Sequence, residues 1–260
     1  MRIVTWNINS VRLRLATLAR VVKTLNPDVV CLQETKAIDE AFPMDGVRAM
    51  GFDHLIIRGQ KGYNGVAILS RLPMEEGERS NWCAKDDCRH LVAHFKGGIE
   101  LHNFYVPAGG DVPDREVNDK FAHKLDFLAE MTAWSEALPK GKRILVGDLN
   151  IAPYEHDVWS HKALLNVISH TPVETEGLIR LLETGWVDAV RRFVPVSEKL
   201  YTWWSYRNRT WPGANRGRRL DHVWVSPPLA RKLDGTFVMR EARGWPVCSD
   251  HVPVAVDLDI

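Results

Sequence analysis

Apolar residues along this chain follow two periods. Short β-branched or apolar runs predict strands at Ile3 to Ile8, Asp28 to Leu32, Val66 to Ser70, Glu100 to Val106, Ile144 to Gly147, Val223 to Ser226 and Val252 to Leu258. Between them lie segments with helical spacing. Val11, Leu15, Leu18, Val22 and Leu25 step by four and three, with Ser10 read as the N-cap and Arg12, Arg14, Arg20 and Lys23 facing outward. Phe121, Leu125, Leu128, Met131, Trp134 and Leu138 repeat the pattern until Pro139-Lys140-Gly141 stops it, and a shorter helix is predicted over Glu174 to Glu183.

No fixed-period repeat and no low-complexity linker divides the chain, so one α/β domain over residues 1–260 is expected. The Gly/Pro-rich stretches Pro107 to Pro113 and Trp211 to Gly217 read as functional loops. Polar residues gather where strands end: Asn7 and Asn9, Gln33 and Glu34, Asp148 and Asn150, with Asp250 and His251 just before the last strand. Strand ends in a layered sheet are where an active site is expected.

Composition narrows the classes. Apolar residues are 45% and charged residues 26% of the chain, ordinary for a globular protein, and 34 basic residues against 33 acidic ones leave a formal charge of +1. A nucleic-acid partner must therefore be argued from local clustering. No apolar stretch is long enough to span a membrane and no leader precedes the first strand, so the cytoplasm is the expected compartment. Cys31, Cys83, Cys88 and Cys248 then read as free thiols. Cys83 and Cys88, with His90 nearby, lack the spacing and the second pair of a zinc knuckle.

Four short segments carry chemistry: Thr5-Trp6-Asn7-Ile8-Asn9, Leu32-Gln33-Glu34-Thr35, Gly147-Asp148-Leu149-Asn150 and Ser249-Asp250-His251-Val252-Pro253, with Arg219-Leu220-Asp221-His222 close behind. Singly each is weak, since a Gly-Asp turn or a lone Glu after a strand is commonplace. Together they form a complete set. Glu34 offers the hard oxygen that Mg²⁺ takes in ones or twos. Asp148 and Asn150 alternate, so an extended segment would turn both to one face. Asp221 and His251 can form an oriented imidazole. Phosphodiester hydrolysis needs a nucleophilic water, charge neutralisation and a stabilised leaving oxygen, and this set supplies all three.

With these motifs in this order, and with Tyr105-Val106-Pro107 and Tyr201-Thr202-Trp203-Trp204 added, the whole chain resembles exodeoxyribonuclease III within the endonuclease/exonuclease/phosphatase family. The resemblance implies a four-layer α/β sandwich, two packed mixed β-sheets flanked by helices. It implies a Mg²⁺-dependent hydrolase, with Mn²⁺ a substitute, in which Glu34 is the principal metal ligand and Asn7 and Asp250 complete the site. Asp148 would activate water or protonate the leaving group, Asn150 would orient that group, and Tyr105 would approach the phosphate. His251, paired with Asp221, would bind the phosphate. The implied substrate is double-stranded DNA, cut 5′ to abasic sites and trimmed or unblocked from 3′ ends, by a monomer. Three positions depart from the family's pattern: Asn9 where some relatives carry Asp, Ala108 where Asn or Gln is common, and Arg218 where the abasic-sugar pocket is apolar in some. Backbone N–H groups of Gly109 and Gly110 are expected to replace the contact absent at Ala108. Trp203 and Leu220 would still form two walls of that pocket.

From Tyr206 to Arg219 the chain carries five arginines, two aromatics and no acid. A solvated loop is the bland reading. Its position directly before Asp221 favours DNA contact, by Arg207, Arg209, Arg216 and Arg218 on phosphates and by Trp211 against a base. Two other readings compete. A same-fold phosphodiesterase or phosphatase for RNA or a small phosphoester would share the metal chemistry. A non-catalytic DNA-binding module would have lost a ligand or the histidine, yet Glu34, Asp148, Asn150, Asp221, Asp250 and His251 are all present.

Overall fold

A computed structural model describes every residue except Asn208, Arg209 and Pro212. One sheet holds β1 (Arg2–Asn7), β2 (Val29–Gln33), β3 (His54–Arg58), β4 (Val66–Ser70), β11 (Leu233–Val238) and β12 (Val254–Leu258), in the order β11-β12-β1-β2-β4-β3. The other holds β5 (Met74–Glu76), β6 (His90–Phe95), β7 (Ile99–Tyr105), β8 (Lys142–Asp148), β9 (Val187–Asp188) and β10 (Asp221–Val225), in the order β5-β6-β7-β8-β10-β9. Each sheet has one parallel pair at its centre, β1 with β2 and β7 with β8, and antiparallel neighbours elsewhere.

Side-chain alternation fixes how the sheets stack. Ile3, Val29, Cys31, Ile68 and Val256 of the first sheet meet Leu91, Leu101, Ile144, Val146 and Val223 of the second in one buried cluster. The intervening residues Val4, Trp6, Val30 and Leu32 point the other way, onto α1 (Leu15–Leu25) and α2 (Met44–Arg48). On the far side Phe104, Leu145 and Trp224 pack on α3 (Asp119–Ala137) and, after the short α4 (His161–Leu164), on α5 (Pro172–Glu183). A last short helix, α6 (Pro227–Ala230), follows β10. The result is helices, sheet, sheet, helices, the four-layer α/β sandwich. No helix among the described residues is long and apolar enough to cross a membrane.

All seven predicted strands exist, displaced by no more than two residues at their ends. Five others carried no clear sequence signal. Four of these, β3, β5, β9 and β11, are the sheet edges, where half-exposed residues need little apolar patterning. The fifth, β6, includes His90, which is buried, stacked on Phe104 at 4.0 Å and hydrogen-bonded to His102 at 3.1 Å.

The helices required two corrections. Ser10 is not an N-cap. It has φ +86°, its N–H and that of Val11 bond to the carbonyls of Glu34 and Thr35, and α1 starts four residues beyond Val11, after an uncapped Arg14. Arg14 turns inward and donates to Tyr206 Oη at 2.9 Å. In α3 the buried stripe is Phe121, Lys124, Phe127, Leu128 and Met131, so Lys124 rather than Leu125 occupies the core-facing position. Asn118 caps this helix by accepting from the Lys120 and Phe121 N–H groups, and its amide holds the carbonyls of Gly109 and Val112. That cap docks the Pro107–Pro113 loop on the end of α3.

Gly147 has no alternative residue. At φ +143° its missing Cβ would lie 1.9 Å from the Phe104 carbonyl oxygen, so β7 and β8 could not pair beside Asp148 with any side chain there. The start of β10 is fixed by charge. Arg219 is buried and donates to Asp157 at 2.8 and 3.1 Å and to Asp188 at 2.7 Å.

Arg219→Met leaves the buried Asp188 with no ion-pair partner among the described residues and Asp157 with Arg191 alone. The expected loss is about 3 kcal/mol or more of unfolding free energy, read by urea denaturation. A loss under about 1 kcal/mol would mean the carboxylates relax to water and the network does not hold β10.

Candidate active site

The alternation that builds the inter-sheet core continues past its apolar part. Inward positions on β1 run Ile3, Thr5, Asn7; on β2, Val29, Cys31, Gln33; on β8, Ile144, Val146, Asp148; and on β7, Leu101, Asn103, Tyr105. Asp221 heads the inward series of antiparallel β10, paired in register with Asp148. Apolar side chains therefore give way to polar ones at the same end of these five strands. Gln33 begins the change, donating to Thr5 Oγ1 at 3.0 Å and across the sheets to Asn103 Oδ1 at 2.7 Å.

Asn7 and Asp148 are buried within this end. The Asn7 amide donates to Glu34 Oε1 at 2.9 Å and to Asp148 Oδ2 at 2.8 Å, joining the two carboxylates. Tyr105 donates its hydroxyl to the same Glu34 oxygen at 2.8 Å. Burial first, then the anions of Glu34 and Asp148, hold the Tyr105 phenol far above its ordinary pKa, so it remains a neutral donor. Asn150 meets Asp148 by a route other than strand alternation. The strand ends at Asp148, Asn150 adopts φ +54°, and its backbone N–H and side-chain amide donate to Asp148 at 3.0 and 3.3 Å.

His251 lies against both carboxylates. Nδ1 is 2.8 Å from Asp221 Oδ2 and Nε2 is 3.6 Å from Asp148 Oδ2. Burial alone would lower its pKa, but Asp221 and Asp148 outweigh burial and push it up to about 10. Asp148 moves upward, chiefly through burial and then through its neighbour Asp221, with His251 opposing. Asp250 accepts from Asn9 and from Trp203 Nε1, both at 3.0 Å. Burial is outweighed there by His251 and those donors, so its pKa falls.

The carboxylates of Glu34, Asp148, Asp221 and Asp250 thus share one end of the sheets with the His251 imidazole and the Lys36 ammonium. Lys36 was not anticipated. Its ammonium bridges Glu34 Oε2 and Asn9 Oδ1, 2.7 Å from each. A cation on hard oxygen donors beside a surplus of negative charge marks the kind of place a divalent ion fits. Asp148, Asp221 and His251 also cluster closely enough to hold an ion. A histidine that keeps its proton to high pH is a poor ligand, however, and the Nδ1 of this one is already hydrogen-bonded to Asp221. Glu34, with Asn7 and Asp250 alongside, is the better fit for hard-ion chemistry.

A cavity of about 540 Å³ opens over these groups, bordered by Glu34, Asn150, Asp250 and His251 at its base and by Trp203, Arg218 and Leu220 on its side. Ala108, Gly110 and Asp111 also line it, with Gly109 and Gly110 both at positive φ. Of the expected DNA contacts, Arg207 is exposed at the mouth and Arg216 lies over the Trp159 ring at 4.8 Å. Trp211 is half-buried, packed edge-on against Trp204 at 6.1 Å and beneath Arg243. Arg209 lies outside the described residues. The fifth arginine, Arg219, belongs to the buried network and cannot reach a ligand.

Sequence reading also missed a buried anchor behind the cavity. Lys124 is ion-paired with Glu174 and donates to the carbonyls of Asn150 at 2.8 Å and Ala108 at 3.3 Å. Glu174 accepts from the N–H groups of Ser169 and Thr171 in a capping box for α5. One ion pair thereby ties three loops of the site together. The signal was present: Lys124 sits three residues from Phe121 and from Phe127, on the apolar face.

Comparison with known proteins places the chain among relatives of the same fold. A profile described as the Endonuclease/Exonuclease/phosphatase family matches residues 4–251. The chain is 31% identical to exodeoxyribonuclease III of Haemophilus influenzae, over 98% of both chains. An AP endonuclease from Archaeoglobus fulgidus superposes with a TM-score of 0.93 at 30% identity, covering 100% of both chains. The 3′ phosphatase NExo from Neisseria, bound to a product DNA hairpin, gives 0.91 at 32% identity, again covering 100% of both.

If Asp221 is what keeps His251 protonated, Asp221→Asn will move the imidazole titration in the metal-free protein down by more than about one pH unit, read from its ¹⁵N NMR shifts. The sign follows from the cause, since removing an anion beside a cation favours the neutral form. An unchanged titration would leave Asp221 as a spacer only.

Proposed function

The chain belongs to the endonuclease/exonuclease/phosphatase family, and from that premise we propose that it is a DNA repair nuclease, incising 5′ to abasic sites and removing nucleotides or blocking groups from 3′ ends. The observation that carries the catalytic reading is the buried Asp148, whose two oxygens accept from Asn7, from the Asn150 N–H and from the Asn150 amide while facing the Asp221-held imidazole. Burial raises the Asp148 pKa and hydrogen-bond donors oppose the rise, which suits the carboxylate to accept a proton.

In this reading Asp148 takes the proton of the attacking water. The water oxygen bonds to phosphorus and the P–O3′ bond breaks, so a 3′-hydroxyl is left after that oxygen gains a proton. His251 keeps its own proton and directs Nε2–H at a phosphoryl oxygen, with Asp221 holding the ring. Tyr105 offers a second, neutral donor, and Asn7 and Asn150 keep Asp148 in place. A divalent ion at Glu34, with Asn7 and Asp250 completing the site, would supply neutralisation of phosphate charge. We take it to be Mg²⁺, with Mn²⁺ able to substitute. Trp203, Leu220 and Arg218 would receive the group on the 3′ side of the phosphate. Arg207, Arg209 and Arg216 would grip flanking phosphates, with Trp211 alongside. The same reading has the protein acting as a monomer in the cytoplasm, where its four free cysteines remain reduced.

On a duplex with a recessed, 5′-labelled strand, a ladder shortening from the 3′ end is expected with Mg²⁺ and none with EDTA. Glu34→Gln and Asp148→Asn should each lower turnover at least about a hundredfold while melting near the parent temperature. Full activity in Glu34→Gln would remove that residue from the metal site. DNA binding should weaken steeply from low to physiological salt, and an affinity indifferent to salt would exclude a phosphate-gripping arginine loop.

A further inference from the structure

Arg218 and Arg219 are adjacent in the chain and opposite in circumstance. Arg219 is buried between Asp157 and Asp188, with its charge fully met. Arg218 is half-buried and has no carboxylate within ion-pair distance among the described residues. Its Nη1 donates to two neutral acceptors, the Ile168 carbonyl at 2.9 Å and Ser169 Oγ at 2.7 Å. Its Nε and Nη2 make no hydrogen bond among the described residues, and its guanidinium carbon lies 5.3 Å from the centroid of the Trp203 ring. A cation taken out of water is normally paired or aimed at something that will pair it.

The surroundings identify that something. Arg218 borders the cavity whose base is formed by Glu34, Asn150 and His251. Other charges are near: some are held by partners of their own, and others line the same cavity. Lys124 and Glu174 are paired behind the wall, Asp250 is held by Asn9 and Trp203, and Asp111 and Arg207 stand at the rim. The loop that Arg218 touches is rigidly fixed, because Glu174 holds the Ser169 N–H at 2.9 Å with both carboxylate oxygens. A planar fork on a fixed wall, beside apolar Leu220, is built to receive an oxyanion rather than a purely apolar surface.

We propose that Arg218 makes this cavity selective for negative charge on the 3′ side of the scissile phosphate. A carboxylate-bearing sugar remnant such as a 3′-phosphoglycolate is the matched ligand, in preference to the uncharged sugar of an abasic site. The inference rests on the phosphodiesterase reading above and concerns only what the cavity accepts. The bond changes are those of ordinary hydrolysis. Water oxygen joins phosphorus, the P–O3′ bond breaks, the 3′-oxygen gains a proton, and phosphoglycolate departs with its carboxylate unchanged. Arg218 binds that carboxylate and transfers no proton.

The test compares kcat/KM on two duplexes of the same sequence, one ending in a 3′-phosphoglycolate at a one-nucleotide gap and one carrying an internal tetrahydrofuran abasic analogue. Arg218→Leu should lower the ratio of the first to the second at least about tenfold, the scale of one charge-assisted hydrogen bond. Arg218→Gln keeps a donor for the Ile168 carbonyl but loses the charge, and should lower the ratio similarly if the leucine variant folds poorly. Arg218→Lys should restore part of it. A ratio unchanged within about twofold in both neutral variants would overturn the proposal and leave Arg218 as a prop for the Ile168–Ser169 loop. If the parent protein cuts neither duplex, the DNA-nuclease reading itself fails, an outcome distinct from loss of selectivity.

Discussion

Gathering carboxylates in a buried place costs energy unless their charges are met, and much of this molecule is arranged around that constraint. Asp148, Asp221, Glu34 and Asp250 lie at one end of two packed sheets, where Asn7, Asn150, Tyr105, Lys36 and His251 each satisfy part of the demand. The remaining negative charge suits the site to a hard cation and favours a proton held on His251. A site so charged is held in place only by a rigid frame, and here the frame is the pleat. Five central strands that bury apolar side chains toward each other deliver a polar side chain one pleat later, all at the same end.

The loops over that frame are anchored by buried charge of their own. The Lys124–Glu174 pair fixes the carbonyls of Asn150 and Ala108 and the N–H of Ser169, so the cavity's base, rim and side wall share one support. Arg219, with Asp157 and Asp188, fixes the start of β10 and with it the position of Asp221. Arg218, one residue earlier, is left facing the cavity. Two neighbouring arginines thus divide the work between holding the fold and meeting a ligand, a distinction that depends on the carboxylates present on each side of the segment.

Central strands, the helices α1, α3 and α5 and the motifs around Glu34, Asp148, Asp221 and His251 were legible in the sequence because each leaves a local trace, apolar periodicity or a polar residue at a strand's end. Edge strands were not, since half-solvated strands need no such pattern. The start of α1 was misread because Ser10 fits a cap in sequence, while its N–H is taken by the Glu34 carbonyl from a distant segment. Asn150 was expected beside Asp148 for a strand's reason and arrives by a left-handed turn. Lys36 escaped because a lone lysine reads as solvated and only tertiary contact pairs it with Glu34, whereas Lys124 left a trace in its place on the apolar face of α3.

The central claim is that this charged strand-end site hydrolyses the DNA backbone at lesions. It is tested most directly by incubating the protein with a 5′-labelled duplex that carries one abasic-site analogue, with Mg²⁺ and with EDTA, and resolving the products on a denaturing gel. A Mg²⁺-dependent product ending just 5′ of the lesion is predicted. No cleavage of any DNA by folded protein supplied with Mg²⁺ or Mn²⁺ would contradict the account and turn attention to RNA or a small phosphoester as the substrate.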